Sequence, residues 1–258
     1  MELNLYEKRV LVSGSSRGIG LSIAQEFLRE GAQVALTSRS QNDLNQLQIK
    51  LGQKFDPNSI LALPCDFTDI KAIQRLKEQI EIIWHGLDIL VCNVGSGKSS
   101  SDLIPLPEDF MRIFQTNFDS AVKTTQEFYP LLKSSQGNIL FIASIAGIEA
   151  TGAPTDYSVA KSALIAFSKN LARKLAGDGI RVNCIAPGNI YFSEGRWEEK
   201  MKAEPEKIQK FIESAVPLRR FGKPEEIAAA VLFLVSELSS FTTGACLIID
   251  GGQTATLF

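Results

Sequence analysis

The segment Tyr157-Ser158-Val159-Ala160-Lys161 sets a tyrosine and a lysine at i and i+4 in a stretch of helical period. Such a pair shares one face of a helix. A phenol starts near pKa ~10, and a neighbouring ammonium favours its anion. The spacing therefore predicts a tyrosine made more acidic by Lys161, able to act as general acid toward a developing alkoxide. Pairs of this kind are frequent by chance on exposed helices, so position decides. Ser144 lies thirteen residues before Tyr157, directly after the apolar run Ile139–Ala143. A hydroxyl at the carboxyl end of a strand stands where open α/β sheets make their ligand contacts. It would donate to a substrate oxygen beside Tyr157; a cap or turn role for Ser144 is the plainer alternative.

A second constellation opens the chain. The run Arg9–Val12 leads straight into Ser13-Gly14-Ser15-Ser16-Arg17-Gly18-Ile19-Gly20, and a helical pattern follows. Glycines permit positive φ and close backbone approach, and free N–H groups at a helix start attract an anion. The spacing Gly-x-x-x-Gly-x-Gly differs from the Gly-x-Gly-x-x-Gly fingerprint. Its place after the first strand still points to a dinucleotide pyrophosphate held by Gly14, Ser16, Arg17, Gly18, Ile19 and Gly20. The second strand ends Thr37-Ser38-Arg39-Ser40, with no acid to meet ribose hydroxyls. Arg39, with Arg17, would instead pair a 2′-phosphate. This favours NADP(H) over NAD(H); two surface arginines on the rim are the bland alternative. Gly95-Ser96-Gly97-Lys98-Ser99 imitates the end of a P-loop, but position 92 is Cys where that motif needs glycine.

These residues need a scaffold, and the chain supplies one. Seven short β-branched runs, Arg9–Val12, Val34–Thr37, Ile60–Leu63, Asp88–Cys92, Asn138–Ala143, Arg181–Ile185 and Cys246–Ile249, alternate with helical segments. The helical segments are Ile19–Arg29, Asn42–Leu51, Asp69–Trp84, Phe110–Leu132, Asp156–Leu175 and Pro224–Ser236. Most strands lack strict alternation, as in a parallel sheet covered on both faces. The expected fold is a single-domain, Rossmann-type doubly wound α/β sheet of about seven strands spanning residues 1–258. One polar, aromatic and charged stretch, 189–213, breaks the pattern and reads as a substrate lid or a solvated helical excursion.

The 258 residues carry 27 Lys+Arg against 29 Asp+Glu, so no basic excess exists to bind nucleic acid. The longest apolar run, Ile227–Val235, is far short of the ~20 residues of a membrane span. The four cysteines stand far apart and read as reduced thiols, and with a single histidine no His-rich metal site can form. A cytoplasmic protein is expected.

Taken in order, the motifs resemble the short-chain dehydrogenase/reductase family across roughly residues 6–252. They are the Gly14/Gly18/Gly20 turn, Asp66, Cys92-Asn93-Val94-Gly95, Asn117, Ser144, Tyr157, Lys161, Pro187-Gly188 and Asp250-Gly251-Gly252. The resemblance implies Tyr157 as general acid/base, Ser144 polarising the substrate oxygen, and Lys161 on the nicotinamide ribose. It implies Asn117 supporting a water that relays protons to Lys161, and Asp66 at the adenine. Asn93 and Gly95 would line the cofactor trough, and Pro187, Gly188 and the Ile190 backbone would border the nicotinamide. Phe192 stands where the family usually has threonine, so one hydrogen bond is missing.

The implied activity is NADPH-dependent reduction of a ketone, or its reverse. In appearance the chain is most similar to 3-oxoacyl-[acyl-carrier-protein] reductases, so an acyl thioester is one candidate substrate. Sugar-like, steroid-like and other small alcohols or ketones are others, and a non-catalytic NADP(H)-binding sensor is a remote alternative. Enoyl reductases of this superfamily space the two residues more widely. Substrate choice would reside in residues 95–107, 148–156 and 189–213. Lys98, Arg196, Arg219 and Arg220 would meet an anionic substrate or acidic carrier, or are solvated surface charge. The family commonly forms homotetramers through the long helices around Phe110–Leu132 and Asp156–Leu175 and the last helix and strand.

Overall fold

The structure, a computed structural model, describes residues 2–99 and 102–256. Its strands are β1 (Arg9–Val12), β2 (Gln33–Ser38), β3 (Ile60–Pro64), β4 (Ile89–Cys92), β5 (Asn138–Ile142), β6 (Arg181–Pro187) and β7 (Cys246–Ile249). They form one parallel sheet in the order 3-2-1-4-5-6-7. The order reverses between β1 and β4, which places the ligand crevice at the carboxyl ends of those strands. Successive side chains alternate faces: Val10 and Val12 pack into one helical layer, and Leu11 into the other.

The first layer holds α1 (Gly18–Arg29), α2 (Gln41–Gly52) and α9 (Pro224–Val235). The second holds α3 (Ile70–Trp84), α5 (Ser120–Ser135) and α6 (Thr155–Leu175). Local chemistry ends these helices as expected. Gly31, at φ +76°, closes α1: its N–H reaches the Leu28 carbonyl and that of Ala32 reaches Phe27. Asp69 caps α3 through the Lys71 N–H, and Pro224 stands in the first turn of α9.

One expectation changes. Phe110–Leu132 is not one helix: α4 (Pro107–Phe114) passes into α5 through a π-turn, Gln115–Asp119, centred on Asn117. The 189–213 stretch, read as a substrate lid or a solvated helical excursion, holds α7 (Arg196–Ala203) and most of α8 (Pro205–Ala215), whose Ile208 and Ile212 are buried. Ser100 and Ser101 of the polar loop lie outside the described residues. Among the described residues no helix is long and apolar enough to cross a membrane.

One ion pair fixes the amino edge of the sheet. Arg9 donates from Nε and its second amino group to the two Asp88 carboxylate oxygens, at 2.7 and 2.8 Å, and its backbone N–H joins at 2.8 Å. Burial pushes the Asp88 carboxyl up, but these Arg9 contacts outweigh it and hold its pKa below the ordinary value. A carboxylate depressed by folding stabilises above its unfolded pKa of ~3.9, and the benefit fades as pH falls through the folded value. Asp88→Asn is expected to cost about 1.5–3 kcal/mol at pH 7. The gap to wild type should shrink in melts taken at pH 3.

Candidate active site

The carboxyl ends of the strands open into a cleft of about 1480 Å³. At one end lies the glycine turn. Gly14 and Gly18 have φ of +65° and +57°. A Cβ on Gly20 would fall 2.4 Å from the Gly14 carbonyl oxygen and 2.5 Å from Asn93 Nδ2, so only glycine fits. Asn93 donates from Nδ2 to the carbonyls of Ser13 and Gly14, at 3.0 Å each, and Ser13 Oγ accepts from the Asn93 and Val94 N–H groups. Thr37 Oγ1 accepts from the Gly14 N–H, and Ser15 Oγ from the Thr37 N–H. Ser13, Ser15 and Thr37 thus clamp the turn between β2 and β4. Sequence reasoning gave Ser15 and Thr37 no role, because their partners lie on another strand.

Ser16, Arg17, Ile19, Arg39 and Asp66 line this end of the cleft. Gly18 is set back beneath Phe192, whose ring stands where a Gly18 Cβ would go, 2.7 Å away. Phe192 therefore brings ring packing on the turn in place of the missing hydrogen bond. Arg17 donates to the Glu194 carbonyl at 3.3 Å, while Arg39 is exposed and faces Asp66. Burial raises the Asp66 pKa, but hydrogen bonds from Thr68 and the Arg39 charge leave it below its usual value.

Ser144, Tyr157 and Lys161 converge at the middle of the cleft. Ser144 follows β5; its hydroxyl stands beside the Tyr157 phenol and accepts the Ala146 N–H at 3.2 Å, the turn role considered for it. Lys161 is only 3% exposed and donates from Nζ to the Ile142 carbonyl at 2.8 Å. Burial drives its pKa down to about 8. The expected acidification of the tyrosine by this lysine is not found. Burial raises the Tyr157 pKa, and what opposes it is the Ser144 hydrogen bond and the charge of Arg196. The Lys161 ammonium is turned to the strand carbonyl, 5.8 Å from the centre of the tyrosine ring.

Asn117 stands behind this wall. The π-turn aims its side chain at the loop after β4, where Oδ1 accepts the Ser96 N–H and Nδ2 donates to the Ser96 carbonyl, both at 3.0 Å. Gly95 is squeezed between: a Cβ there would lie 2.8 Å from Asn117 Oδ1 and 3.1 Å from Lys161 Nζ. Pro187, Gly188 and Ile190 border the far side. Gly188 meets Asp250, which would crowd any Cβ at 2.7 Å, so the Asp250-Gly251-Gly252 turn buttresses the end of β6. The bridge to Gly222 uses the Asn189 carbonyl and the Tyr191 N–H, which leaves the Ile190 amide facing the other way.

The residue before the tyrosine was missed. Asp156 is fully buried, and its carboxylate accepts Ser99 Oγ at 2.7 Å and the Tyr157 N–H at 2.8 Å. It ties the loop 95–99 to the first turn of α6. Arg220, considered for an anion, is committed to Glu226, holding that carboxyl down at about 2. Arg219 is exposed and does not line the cleft.

A doubly wound parallel sheet with a glycine turn after β1 and a Ser–Tyr–Lys group at its carboxyl edge defines a nicotinamide-dependent oxidoreductase. A family model described as enoyl-(acyl carrier protein) reductase matches residues 14–254. The chain is 36% identical over 259 residues to a tropinone reductase homolog of Arabidopsis thaliana, covering 99% of this chain and 94% of that protein. It is 34% identical over 251 residues to 3-oxoacyl-[acyl-carrier-protein] reductase of Thermotoga maritima, covering 97% and 99%. The crystal structure of L-sorbose reductase from Gluconobacter frateurii, complexed with NADPH and L-sorbose, superposes with a TM-score of 0.93 at 31% identity over 100% of both chains. The chain belongs to the short-chain dehydrogenase/reductase family.

Removing the Asp156 carboxylate leaves the Ser99 hydroxyl and the Tyr157 N–H without their partner. Asp156→Ala is expected to cost about 1–3 kcal/mol and to speed tryptic cleavage after Lys98 several-fold. Unchanged cleavage kinetics would show that the loop is held by other contacts.

Proposed function

We propose that this protein reduces a ketone to a secondary alcohol, or runs the reverse, with NADPH preferred over NADH. The observation that carries the reading is the convergence of Ser144, Tyr157 and Lys161 on one cleft whose other end holds the glycine turn and Arg39. The residues present fit a dinucleotide. The first N–H groups of α1 have no side-chain cap, which leaves them for phosphate. At the carboxyl end of β6 the Asn189 Nδ2 donor is buried without a partner, next to Gly188 and Ile190.

Gly14, Ser16, Arg17, Gly18, Ile19 and Gly20 would hold the pyrophosphate end, and Arg39 a 2′-phosphate by paired charge-assisted bonds. Asp66, Asn93 and Gly95 would line the adenosine and trough, Lys161 the ribose, and Pro187, Gly188 and Ile190 the nicotinamide. When bound, the nicotinamide supplies or accepts the hydride. The chain's own groups manage the proton. Tyr157, kept protonated by burial, gives its proton to the forming alkoxide while Ser144 donates a hydrogen bond to the same oxygen. Lys161 is a charged donor whose position Asn117 fixes through Gly95 and Ser96.

The three-residue gap between Tyr157 and Lys161 supports carbonyl over carbon–carbon double-bond reduction. Relatives named for 3-oxoacyl and sugar ketone reduction support a 3-oxoacyl thioester or a small polyol ketone as substrate. The 189–213 segment serves as the lid of a single domain. Four free cysteines support a cytoplasmic setting. Phe233, Phe241 and Leu247, exposed on and beside α9 and β7, support assembly as a homotetramer.

A diketone assay with both cofactors tests the reading. Tyr157→Phe is expected to lower kcat by ~10²–10⁴-fold with an unchanged melting temperature; retained turnover would refute the reading. Arg39→Asp is expected to raise KM for NADPH about 10- to 100-fold and to shrink or reverse the preference over NADH.

A further inference from the structure

The lid helix α7 carries charge that the fold does not neutralise. Most cations around it are paired: Lys98 with Glu199 at 3.7 Å, Lys202 with Glu198 at 3.0 Å, and Lys207 with Glu204 at 2.7 Å. Arg112 is paired with Asp109 at 2.8 Å. Arg196 and Lys200, one helical turn apart, have no carboxylate within ion-pair distance among the described residues. Both line the cleft.

Their positions are specific. The Arg196 guanidinium reaches across the cleft to the loop after β4, 3.0 Å from where a Gly97 Cβ would stand. It is close enough to Tyr157 for its charge to act on the phenol. Lys200 lies over the Trp197 ring, 4.6 Å from its centre. Burial and the like charges of Arg196 and Lys207 depress the Lys200 pKa, while Glu204 opposes them. Behind the two cations, Trp197 stacks on Phe211 with ring centres 5.6 Å apart, and both rings line the cleft with Ile208. The acids that line the cleft are Asp66, at the Arg39 end, and the exposed Asp102.

We infer that the carbonyl substrate carries an anionic oxygen group, carboxylate or phosphate, which Arg196 grips with Lys200 in support while an apolar body rests on Trp197 and Phe211. This rests on the carbonyl-reductase reading and adds the substrate's charge to it. A planar guanidinium without a protein partner presents a fork that matches either oxyanion.

The test uses matched pairs with the whole enzyme. Levulinate and benzoylformate are compared with their methyl esters, and dihydroxyacetone phosphate with dihydroxyacetone. Binding to the NADP⁺ complex is measured by calorimetry, and reduction is followed by NADPH absorbance. At least one anion is expected to bind tenfold or more tighter than its neutral partner, and the pair that responds separates carboxylate from phosphate. In Arg196→Gln the anion-to-neutral ratio should collapse toward one through KM, with Arg196→Lys recovering part of it. Equal binding of every pair by the wild type, or equal losses on anion and neutral in Arg196→Gln, would overturn the inference. The latter would mean that Arg196 only seals the lid against Gly97. Tyr157→Phe should keep the binding preference while losing turnover, so the anion site and the reductase reading fail separately.

Discussion

A buried ammonium sets the terms for the rest of the site. Lys161 has almost no access to solvent and one hydrogen bond to a strand carbonyl, that of Ile142. Its pKa falls from 10.5 to about 8, which corresponds to roughly 3 kcal/mol against the charged form. That cost is borne by the packed sheet. Gly95 lies against the amine, Asn117 fills the space behind it, and the π-turn gives Asn117 its reach. A regular helix through Asn117 would turn its side chain off the Ser96 peptide. The loop after β4, the helix α4–α5 and the lysine therefore meet at Gly95 and Ser96.

Beside that junction the tyrosine obeys a different balance from the one its sequence neighbours suggest. An i, i+4 lysine favours tyrosinate only when its ammonium stands close to the phenol oxygen. Here the ammonium is committed to the Ile142 carbonyl, so burial dominates and the phenol keeps its proton. A protonated tyrosine hydrogen-bonded to Ser144 is the state that a carbonyl reductase needs at the start of reduction.

The seven strands and the crevice were legible in the sequence because each depends on a local pattern. β-branched runs, Gly31 after α1 and Pro224 opening α9 act within a few residues. Gly14, Ser144, Tyr157 and Lys161 were legible because strand ends and helix spacing place them. What escaped depends on contacts distant in sequence. The π-turn at Asn117 is tied by a bond to Ser96, twenty-one positions away. Asp156 looked like an ordinary first-turn acid until Ser99 met it. α7 and α8 were legible only as an undivided helical excursion: α7 buries none of its residues, and α8 only Ile208 and Ile212, which leaves a weak periodic signal. Lys98, Arg196, Arg219 and Arg220 were equivalent as letters; the pairing of Arg220 with Glu226 and the place of Arg196 in the cleft separate those two.

The separation matters because Arg196 acts on two things at once. Its guanidinium closes the cleft against Gly97, and its field draws the Tyr157 pKa downward. An anion bound to it would oppose that field. The phenol would then lose its remaining cationic support and hold its proton more firmly. Charge recognition and proton supply are thereby linked with opposing signs: the uncompensated guanidinium makes the phenol a stronger acid, and an anion held on Arg196 makes it a weaker one. A neutral ketone leaves Arg196 uncompensated and the phenol the better proton donor, still protonated because burial keeps its pKa above the ordinary value. A single arginine on the lid helix can in this way bias both which ketone enters and how readily it is protonated, while Ser144, Tyr157 and Lys161 stay where the sheet fixes them.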